Sequence, residues 1–343
     1  MKALVLEEYN NLVYKEVPEP PIGPEDVLIR VKACAICGSD VHGMDGSTGR
    51  RIPPVIMGHE AAGVIAEVGA NVAGWQKGDP VTFDSTIHCG KCYFCRRGLT
   101  NLCDNRRVLG VSCDEYRRNG AFVEYIAVPQ HILYRLPAGL SFEQAAMVEP
   151  LSVAFHAVER TPISLNDTAV VVGAGMIGSL VIQALRVAGC GHIIAVDINE
   201  ARLELARKLG ADEALNSDSV GAVDRVLKCT ANHGADVAFE VVGITPTLQL
   251  SIECLRKGGA LTLVGNVAPT AELPLQSVVT RELTLNGSCA SRGEYPACMD
   301  MIARGAINVD ALVSAVAPLA EGASWFERLY RDEPSLMKVI LST

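Results

Sequence analysis

The feature that most constrains the fold is an apolar run that leads into closely spaced glycines. The segment Ala169–Val172 is followed by Gly173-Ala174-Gly175-Met176-Ile177-Gly178, a G-x-G-x-x-G pattern. A strand before these glycines and a helix after them would bring free backbone N–H groups close to a pyrophosphate. We therefore expect Gly173, Gly175, Met176, Ile177 and Gly178 to bind a dinucleotide.

An acidic residue supports this interpretation and selects the cofactor. Asp197 ends the predicted strand Ile193–Val196 and lies 19 residues after Gly178. A carboxylate at this place accepts hydrogen bonds from the ribose hydroxyls of NAD and repels the 2′-phosphate of NADP. The alternative is a surface acid at a strand end. NAD is therefore the expected cofactor.

Strand and helix candidates alternate through the second half of the chain. The strands include Asp236–Val241, Ala260–Val264 and Leu283–Asn286, and the helices include Glu200–Leu209 and Val220–Thr230. This alternation predicts an α/β fold with a doubly wound parallel sheet of about six strands. Val264 and Gly265, which follow the fifth strand, are expected near the nicotinamide.

The first 128 residues have a different character, with short strand candidates separated by glycine and proline, which predicts a small barrel or sandwich. Inside this region the spacing Cys89-x2-Cys92-x2-Cys95-x7-Cys103 fits a closed, structural zinc site. An iron–sulfur cluster is the competing interpretation, but the ferredoxin pattern has a shorter last gap followed by proline. The four cysteines therefore predict a structural zinc ion.

A second group of metal donors lies upstream of the cysteines. Cys37 is followed by Gly38-Ser39-Asp40, and His59-Glu60 follows after a segment that contains Pro53-Pro54. Zinc prefers such a set of thiolate, imidazole and carboxylate donors. Few donors are evident for a closed site, which suggests that one position is left for a substrate.

Composition limits the partners and the compartment. The net charge of −9 argues against binding to nucleic acid or to an anionic membrane. The start of the chain lacks the pattern of a signal peptide, so we expect a cytoplasmic protein whose 12 cysteines stay reduced. Gln183, Arg186 and the glycines argue against a membrane helix in the apolar segment 169–185.

Taken in order, these motifs resemble the zinc-dependent medium-chain alcohol dehydrogenases, most of all the sorbitol (L-iditol) and polyol dehydrogenase branch. The resemblance includes Glu149-Pro150-Leu151-Ser152-Val153 and extends over essentially the whole chain. It implies a GroES-like catalytic domain at 1–152 that is rejoined by 292–343, and a Rossmann domain at 153–291. It also implies two zinc ions per chain, NAD, and a homodimer or homotetramer.

The resemblance assigns roles to individual residues. It makes Cys37, His59, Glu60 and Glu149 the ligands of a catalytic zinc ion, with Glu60 bound directly or in exchange with water. Glu149 would alternatively be an acid that forms a salt bridge. Arg202 would lie near the adenosine or would be a solvated arginine on a helix.

The implied reaction transfers a hydride from a secondary alcohol of a polyol, sugar or sugar-alcohol derivative to NAD and gives the ketone. Ser39 would receive the hydroxyl proton and pass it through the cofactor ribose to His42, which is otherwise an ordinary loop histidine. The alternatives are a threonine-type or simple secondary-alcohol dehydrogenase, and a non-catalytic NAD(P)-binding relative.

The chain departs from the sorbitol dehydrogenase pattern after the last Rossmann strand. An Arg-Tyr pair of that branch is replaced by Ala290-Ser291, with Arg292 one step further on, so sorbitol itself is in question. Arg50-Arg51 lie on the approach to His59, where a solvated loop and a clamp for phosphate or carboxylate are the two interpretations.

Overall fold

The computed structural model describes residues 1–113, 116–217, 221–334 and 336–343, and the chain divides into two compact units. Unit 1 contains Met1–Pro150 and Arg292–Thr343, and unit 2 contains Leu151–Ser291. Among the described residues, none of the helices combines the length and the apolarity that spanning a bilayer requires.

Unit 1 is rich in β-strands. Its strands are β1 (Lys2–Glu8), β2 (Asn11–Glu16), β3 (Asp26–Ala35), β4 (Val55–Ile56), β5 (Glu60–Val68), β6 (Pro80–Phe83), β7 (Thr86–Ile87), β8 (Arg107–Val108), β9 (Tyr125–Pro129), β10 (Leu133–Arg135), β17 (Val313–Pro318) and β18 (Lys338–Ser342). Its helices are α1 (Gly38–Val41), α2 (Phe142–Ala146), α9 (Tyr295–Ala303) and α10 (Gly322–Tyr330), and α3 (Val148–Glu159) begins in this unit.

The central sheet of unit 1 has seven strands in the order β10-β6-β5-β3-β18-β17, with β9 also paired to β3. Strand β3 lies between β5 and β18 and is antiparallel to both, with Ala35 opposite Glu60 and opposite Ile340. The end of β3 therefore meets the starts of β5 and β18. The apolar residues of these strands form one buried core, in which Ile29, Ile65 and Leu341 are at most 1% exposed.

Unit 2 confirms the predicted doubly wound parallel sheet. Its strands are β11 (Thr168–Val172), β12 (His192–Asp197), β13 (Glu213–Asn216), β14 (Ala235–Glu240), β15 (Leu255–Leu263) and β16 (Thr284–Gly287). Its helices are α4 (Met176–Ala188), α5 (Glu200–Lys208), α6 (Ala222–Cys229), α7 (Thr245–Cys254) and α8 (Leu275–Thr280). The strand order is β13-β12-β11-β14-β15-β16, and every paired strand is parallel to its neighbour.

Local sequence explains the elements of unit 2 that matter for binding. Strand β11 is apolar and buried from Ala169 to Val172, as expected for a strand covered on both faces of a parallel sheet. Helix α4 ends at Gly189, which adopts the left-handed φ of 96° that favours glycine. The side chain of Asn199 accepts hydrogen bonds from the N–H groups of Ala201 and Arg202 and so begins α5. The predicted helix start at Val220 lies outside the described residues.

Candidate active site

Three predicted zinc ligands meet where β3 ends and β5 begins, in the central sheet of unit 1. One donor atom each of Cys37, His59 and Glu60 lies within 4.8 Å of the other two. Cys37 follows β3 directly before α1, and Glu60 is the first residue of β5. The antiparallel pairing of β3 with β5 therefore brings together two segments that are separate in sequence.

The orientation of His59 suits a metal ligand. Its Nδ1 lies 3.4 Å from Oδ2 of Asp40, which leaves Nε2 as the nitrogen that is available to a metal. Burial alone would lower the pKa of His59, but Asp40 and Cys37 raise that pKa well above its usual value. The pocket therefore has a negative potential, and its mixed donor set fits a zinc ion with an open position.

Asp40 is held in turn by Arg51, a contact that the sequence analysis did not find. Arg51 is 3% exposed and Asp40 is fully buried, with Nη2 of the arginine 2.7 Å from Oδ1 of the aspartate. Burial opposes the charge on Asp40, yet His59 and Arg51 lower its pKa to about 2. The interpretation of Arg51 as a solvated side chain is therefore wrong, whereas Arg50 is exposed and the clamp for a phosphate or carboxylate stays a prediction.

Glu60 also has a partner that the sequence did not indicate. Nζ of Lys338, the first residue of β18, donates to Oε2 of Glu60 at 2.7 Å and to the carbonyl oxygen of Ile36 at 3.0 Å. Burial opposes the charge on Lys338, but Glu60 and Cys37 raise the pKa of its ammonium group. Lys338 thus compensates one oxygen of Glu60 and leaves the other as a possible donor to a metal.

Glu149 lies near this group but is not one of the three clustered donors. Its Oε1 accepts a hydrogen bond of 2.9 Å from Ser85, and it is 8% exposed. Burial raises the pKa of Glu149, while the nearby charge of His59 lowers it and that of Glu60 raises it. Glu149 is therefore close enough for its charge to interact with those of His59 and Glu60, and its role as a zinc ligand stays a prediction.

Asp84, next to Ser85, gives unit 1 a buried acid whose charge is unfavourable. Burial, with a further contribution from Glu149 and Glu294, raises the pKa of Asp84 to about 7, although Thr86 N–H donates to its carboxylate. In the unfolded chain this pKa is near 3.8. As the pH rises from 4 to 7 the unfolded state loses this proton first, so stability falls across that window.

We expect Asp84→Asn to remove this penalty. Relative to the unmodified protein, the variant should gain stability as the pH is raised from 5 to 8, by about 3 kcal/mol, since two pH units of that window lie below the folded pKa of about 7. Denaturant unfolding at both pH values measures the change. Asp79→Asn is the control, because Arg135 lowers the pKa of Asp79, so this carboxylate is charged above pH 5 in both the folded and the unfolded protein. A stability difference for Asp84→Asn that does not change with pH would contradict the prediction.

The predicted proton relay lies on the exposed side of α1. Ser39 and His42 are both exposed and are three residues apart on one helical turn, which places them on the same face. The hydroxyl of Ser39 donates to Sγ of Cys37 at 3.3 Å. Ser39 therefore lies against a predicted zinc ligand, as a group that receives a proton from a substrate at the metal would require.

The four cysteines of the predicted structural site also meet. Donor atoms of Cys89, Cys92, Cys95 and Cys103 lie within 4.8 Å of one another. Backbone N–H groups point at the sulfurs, with Cys89 N and Asn105 N each 3.3 Å from Sγ of Cys103. The N–H of Lys91 contributes most to lowering the pKa of Cys89, to about 6. Four sulfur donors that meet in this way fit a closed tetrahedral zinc site.

In unit 2 the predicted dinucleotide residues form one loop at the carboxyl edge of the sheet. Gly173 has a left-handed φ of 99°, and a Cβ on Gly178 would come within 1.8 Å of the carbonyl oxygen of Gly173. A Cβ on Gly175 would meet nothing within 4 Å, which leaves room for a pyrophosphate at the start of α4. Met176 and Ile177 begin that helix and are half-buried.

Asp197, at the end of β12, is tied to the same loop. Its Oδ2 accepts the N–H of Ala174 at 2.7 Å, and its Oδ1 accepts the N–H of Asn199 at 2.9 Å. Each carboxylate oxygen has a second lone pair for a ribose hydroxyl. Arg202 is half-buried on α5. The fold thus presents a carboxylate beside the glycine loop, as NAD binding requires.

Val264 and Gly265 follow β15, where their N–H groups donate to the carbonyl oxygen of Glu240. The side chain of Glu240 is 1% exposed and accepts from Val242 N–H, Gly243 N–H and the hydroxyl of Thr247. Sequence analysis missed this buried carboxylate, which fixes the loop after β14. At the departure from the sorbitol dehydrogenase pattern, Ala290 has a left-handed φ of 52° and Ser291 is buried.

Comparisons with known proteins identify the family of the chain. Residues 23–138 match the family model described as alcohol dehydrogenase GroES-like domain, and residues 177–304 match the model described as zinc-binding dehydrogenase. Sorbitol dehydrogenase of Bacillus subtilis (strain 168) is 33% identical over 99% of this chain and 97% of its own length. D-arabitol-phosphate dehydrogenase of Enterococcus avium is 32% identical, with coverages of 98% and 95%.

A solved structure gives the same assignment. A zinc-binding dehydrogenase from Sinorhizobium meliloti 1021 bound to NADP is 30% identical and has a TM-score of 0.91, with 100% of this chain and 99% of that chain covered. Sequence identity and fold thus agree over the full length of both molecules. The chain belongs to the zinc-dependent medium-chain alcohol dehydrogenase family, in its sorbitol and polyol dehydrogenase branch.

Proposed function

We propose that this protein oxidises a secondary alcohol of a polyol, sugar or sugar-alcohol derivative to the ketone, with NAD as the hydride acceptor and two zinc ions per chain. The observation that carries the proposal is the cluster of Cys37, His59 and Glu60 donor atoms, in which Asp40 orients the histidine. Relatives named for sorbitol and arabitol phosphate support the substrate class.

The residues of unit 1 divide the work of the reaction. When bound, zinc supplies a Lewis acid that lowers the pKa of an alcohol hydroxyl, and NAD supplies the hydride acceptor. Cys37, His59 and Glu60 would hold the metal, with Glu149 as a possible further ligand. Ser39 would accept the proton of the substrate hydroxyl and give up its own proton toward His42, which would pass it to solvent. Cys89, Cys92, Cys95 and Cys103 would hold the second zinc ion.

A substrate panel tests the proposed reaction directly. NADH formation is measured with polyols, polyol phosphates, threonine and simple secondary alcohols, before and after zinc is removed with a chelator. We expect one of the polyols or polyol phosphates to give the highest kcat/KM, with two zinc ions per chain and recovery of the rate when zinc is added back. Protein that retains its fold but binds no zinc, or that oxidises none of these compounds, would overturn the proposal.

Asp197→Asn tests the preference for NAD. The carboxylate would repel the 2′-phosphate of NADP, so its loss should raise the ratio of NADP to NAD activity about 100-fold, as the relief of a close like-charge contact allows. Asp236→Asn is the control, since Asp236 lies near the amino end of β14, whereas Asp197 lies at the carboxyl end of β12 in the same sheet. Steady-state kcat/KM for both cofactors measures the ratio. An unchanged ratio, or NADP preference in the unmodified protein, would exclude this role.

We further propose a homodimer or homotetramer in the cytoplasm. Strand β16 is an edge strand of unit 2, and the segment before it exposes Val267, Leu275 and Val279 at 63 to 65%. Edge strands and apolar surface of this kind favour association. All 12 cysteines are free, as a reducing compartment requires. Light scattering that shows a monomer, or fractionation that places the protein outside the cytoplasm, would contradict these points.

A further inference from the structure

The side chain of Arg51 contacts two groups of unit 1 that serve different purposes. Its Nε and Nη2 donate to Oδ1 of Asp40 at 3.0 and 2.7 Å. Its Nη2 also donates to Oγ of Ser39 at 3.2 Å. One buried guanidinium therefore joins the carboxylate behind a predicted zinc ligand to the hydroxyl that begins the predicted proton relay.

The contact with Asp40 acts on the metal side. Asp40 is fully buried, with Oδ1 held by Arg51 and Oδ2 3.4 Å from Nδ1 of His59. Two donors of the planar guanidinium, Nε and Nη2, hold the same carboxylate oxygen, Oδ1, so the other oxygen faces one nitrogen of the imidazole. Arg51 therefore controls the direction in which the remaining nitrogen of His59 points.

The contact with Ser39 acts on the proton side. A hydroxyl has one hydrogen to donate and two positions at which it can accept. The hydrogen of Ser39 is directed at Sγ of Cys37, 3.3 Å away, and Arg51 fills one accepting position. A single accepting position is left for the hydroxyl of a substrate, so Arg51 sets the orientation of Ser39.

We propose that Arg51 is a positioning residue that fixes the position of the zinc ligand His59 relative to the proton-accepting Ser39. This inference rests on the proposed dehydrogenase function and extends it. Arg51 acts through Asp40 on His59 and directly on Ser39. Nη2 contacts both partners and Nε gives Asp40 a second hydrogen bond, so the rigid, planar guanidinium holds these directions more firmly than a flexible ammonium group would.

Arg51→Lys tests the proposal, because it keeps the charge and removes the fork. We expect the affinity of the catalytic zinc site, measured by competition with a chelator, to fall about 10- to 100-fold, and kcat to fall by a similar factor with little change in KM. The absorption spectrum of the Co2+-substituted protein should also change. Arg135→Lys is the matched control, because Arg135 forms a 2.7 Å ion pair with Asp79 on the same unit.

Two backgrounds separate the contacts. When Arg51→Lys is added to the Ser39→Ala variant, it should lower kcat by no more than a few-fold. When Arg51→Lys is added to the Asp40→Asn variant, it should no longer weaken zinc binding. Both expectations follow because substitutions of coupled residues have non-additive effects. Fully additive effects, or a lysine variant that matches Arg135→Lys in zinc affinity, spectrum and kcat, would overturn the proposal.

Two further measurements keep the outcome decisive. If Arg51→Lys does not fold, the double variant Asp40→Asn with Arg51→Gln, which lacks both buried charges, is compared with Asp40→Asn alone. The difference in kcat between these two proteins then reports on the contact of Arg51 with Ser39. If the unmodified protein binds zinc but oxidises no alcohol, the proposed function fails while the zinc affinities and Co2+ spectra still decide whether Arg51 positions the ligand.

Discussion

Replacement of Lys338 by methionine is expected to destabilise the folded protein by about 3–5 kcal/mol, because it leaves the carboxylate of Glu60 buried without its cation. Lys338 is 2% exposed and Glu60 is 1% exposed, and their charged atoms are 2.7 Å apart. Methionine has a similar length and no charge, so packing changes little. Denaturant unfolding of the zinc-free protein measures the loss, because a zinc ion bound by Glu60 would itself compensate the carboxylate.

Two controls separate the charge from the side chain of Lys338. Lys208→Met removes an exposed pair with Glu204, whose side chains are 68% and 66% exposed, and should change stability by less than about 1 kcal/mol. Glu60→Gln added to Lys338→Met removes both buried charges and should recover most of the loss. If Lys338→Met unfolds at the same denaturant concentration as the unmodified protein, the buried pair does not stabilise unit 1.

Replacement of Ser39 by alanine is expected to lower kcat by about 100- to 10,000-fold, the usual contribution of a positioned proton acceptor. The alanine removes the hydroxyl that lies 3.3 Å from Sγ of Cys37 and leaves the predicted ligands in place. Zinc content should therefore stay at two ions per chain, and KM should change little. Steady-state kinetics and metal analysis of the same preparation measure both quantities.

Ser39→Thr is the matched variant, because it keeps a hydroxyl at the same position. It should retain most of the activity that Ser39→Ala loses. An alanine variant with unchanged kcat would remove Ser39 from the proton path. Loss of zinc from the alanine variant would instead assign Ser39 to the metal site, through its hydrogen bond to Cys37.

Features that are local in sequence could be predicted from sequence. The four cysteines lie within 15 residues, and the glycine loop follows directly from its strand, so spacing alone indicates which atoms meet. The strands and helices around the glycine loop were predictable for the same reason. Strand β13 was missed, since Glu213–Asn216 is only four residues long and has no alternation of buried and exposed positions.

The contacts that hold the catalytic group in place could not be predicted in this way. Lys338 meets Glu60 across 278 residues of sequence, and only the pairing of β18 with β3 determines that contact. Arg51 follows another arginine in a polar loop, where composition indicates solvent. A buried charge and a solvated charge look the same in sequence, because burial depends on what other segments cover the residue.

The position of Lys338 in the chain determines when the candidate metal centre could be complete during synthesis. A growing chain contains Cys37, His59 and Glu60 long before β18 has left the ribosome, and until then Glu60 has no buried cation. Without a metal ion its carboxylate must stay hydrated, so the pairing of β3 with β5 is less stable until β18 is added. An arrested chain that ends before residue 338 should therefore be cleaved by protease near these strands, and a chain that includes β18 should resist. The group would thus be completed only once β18 has been synthesised.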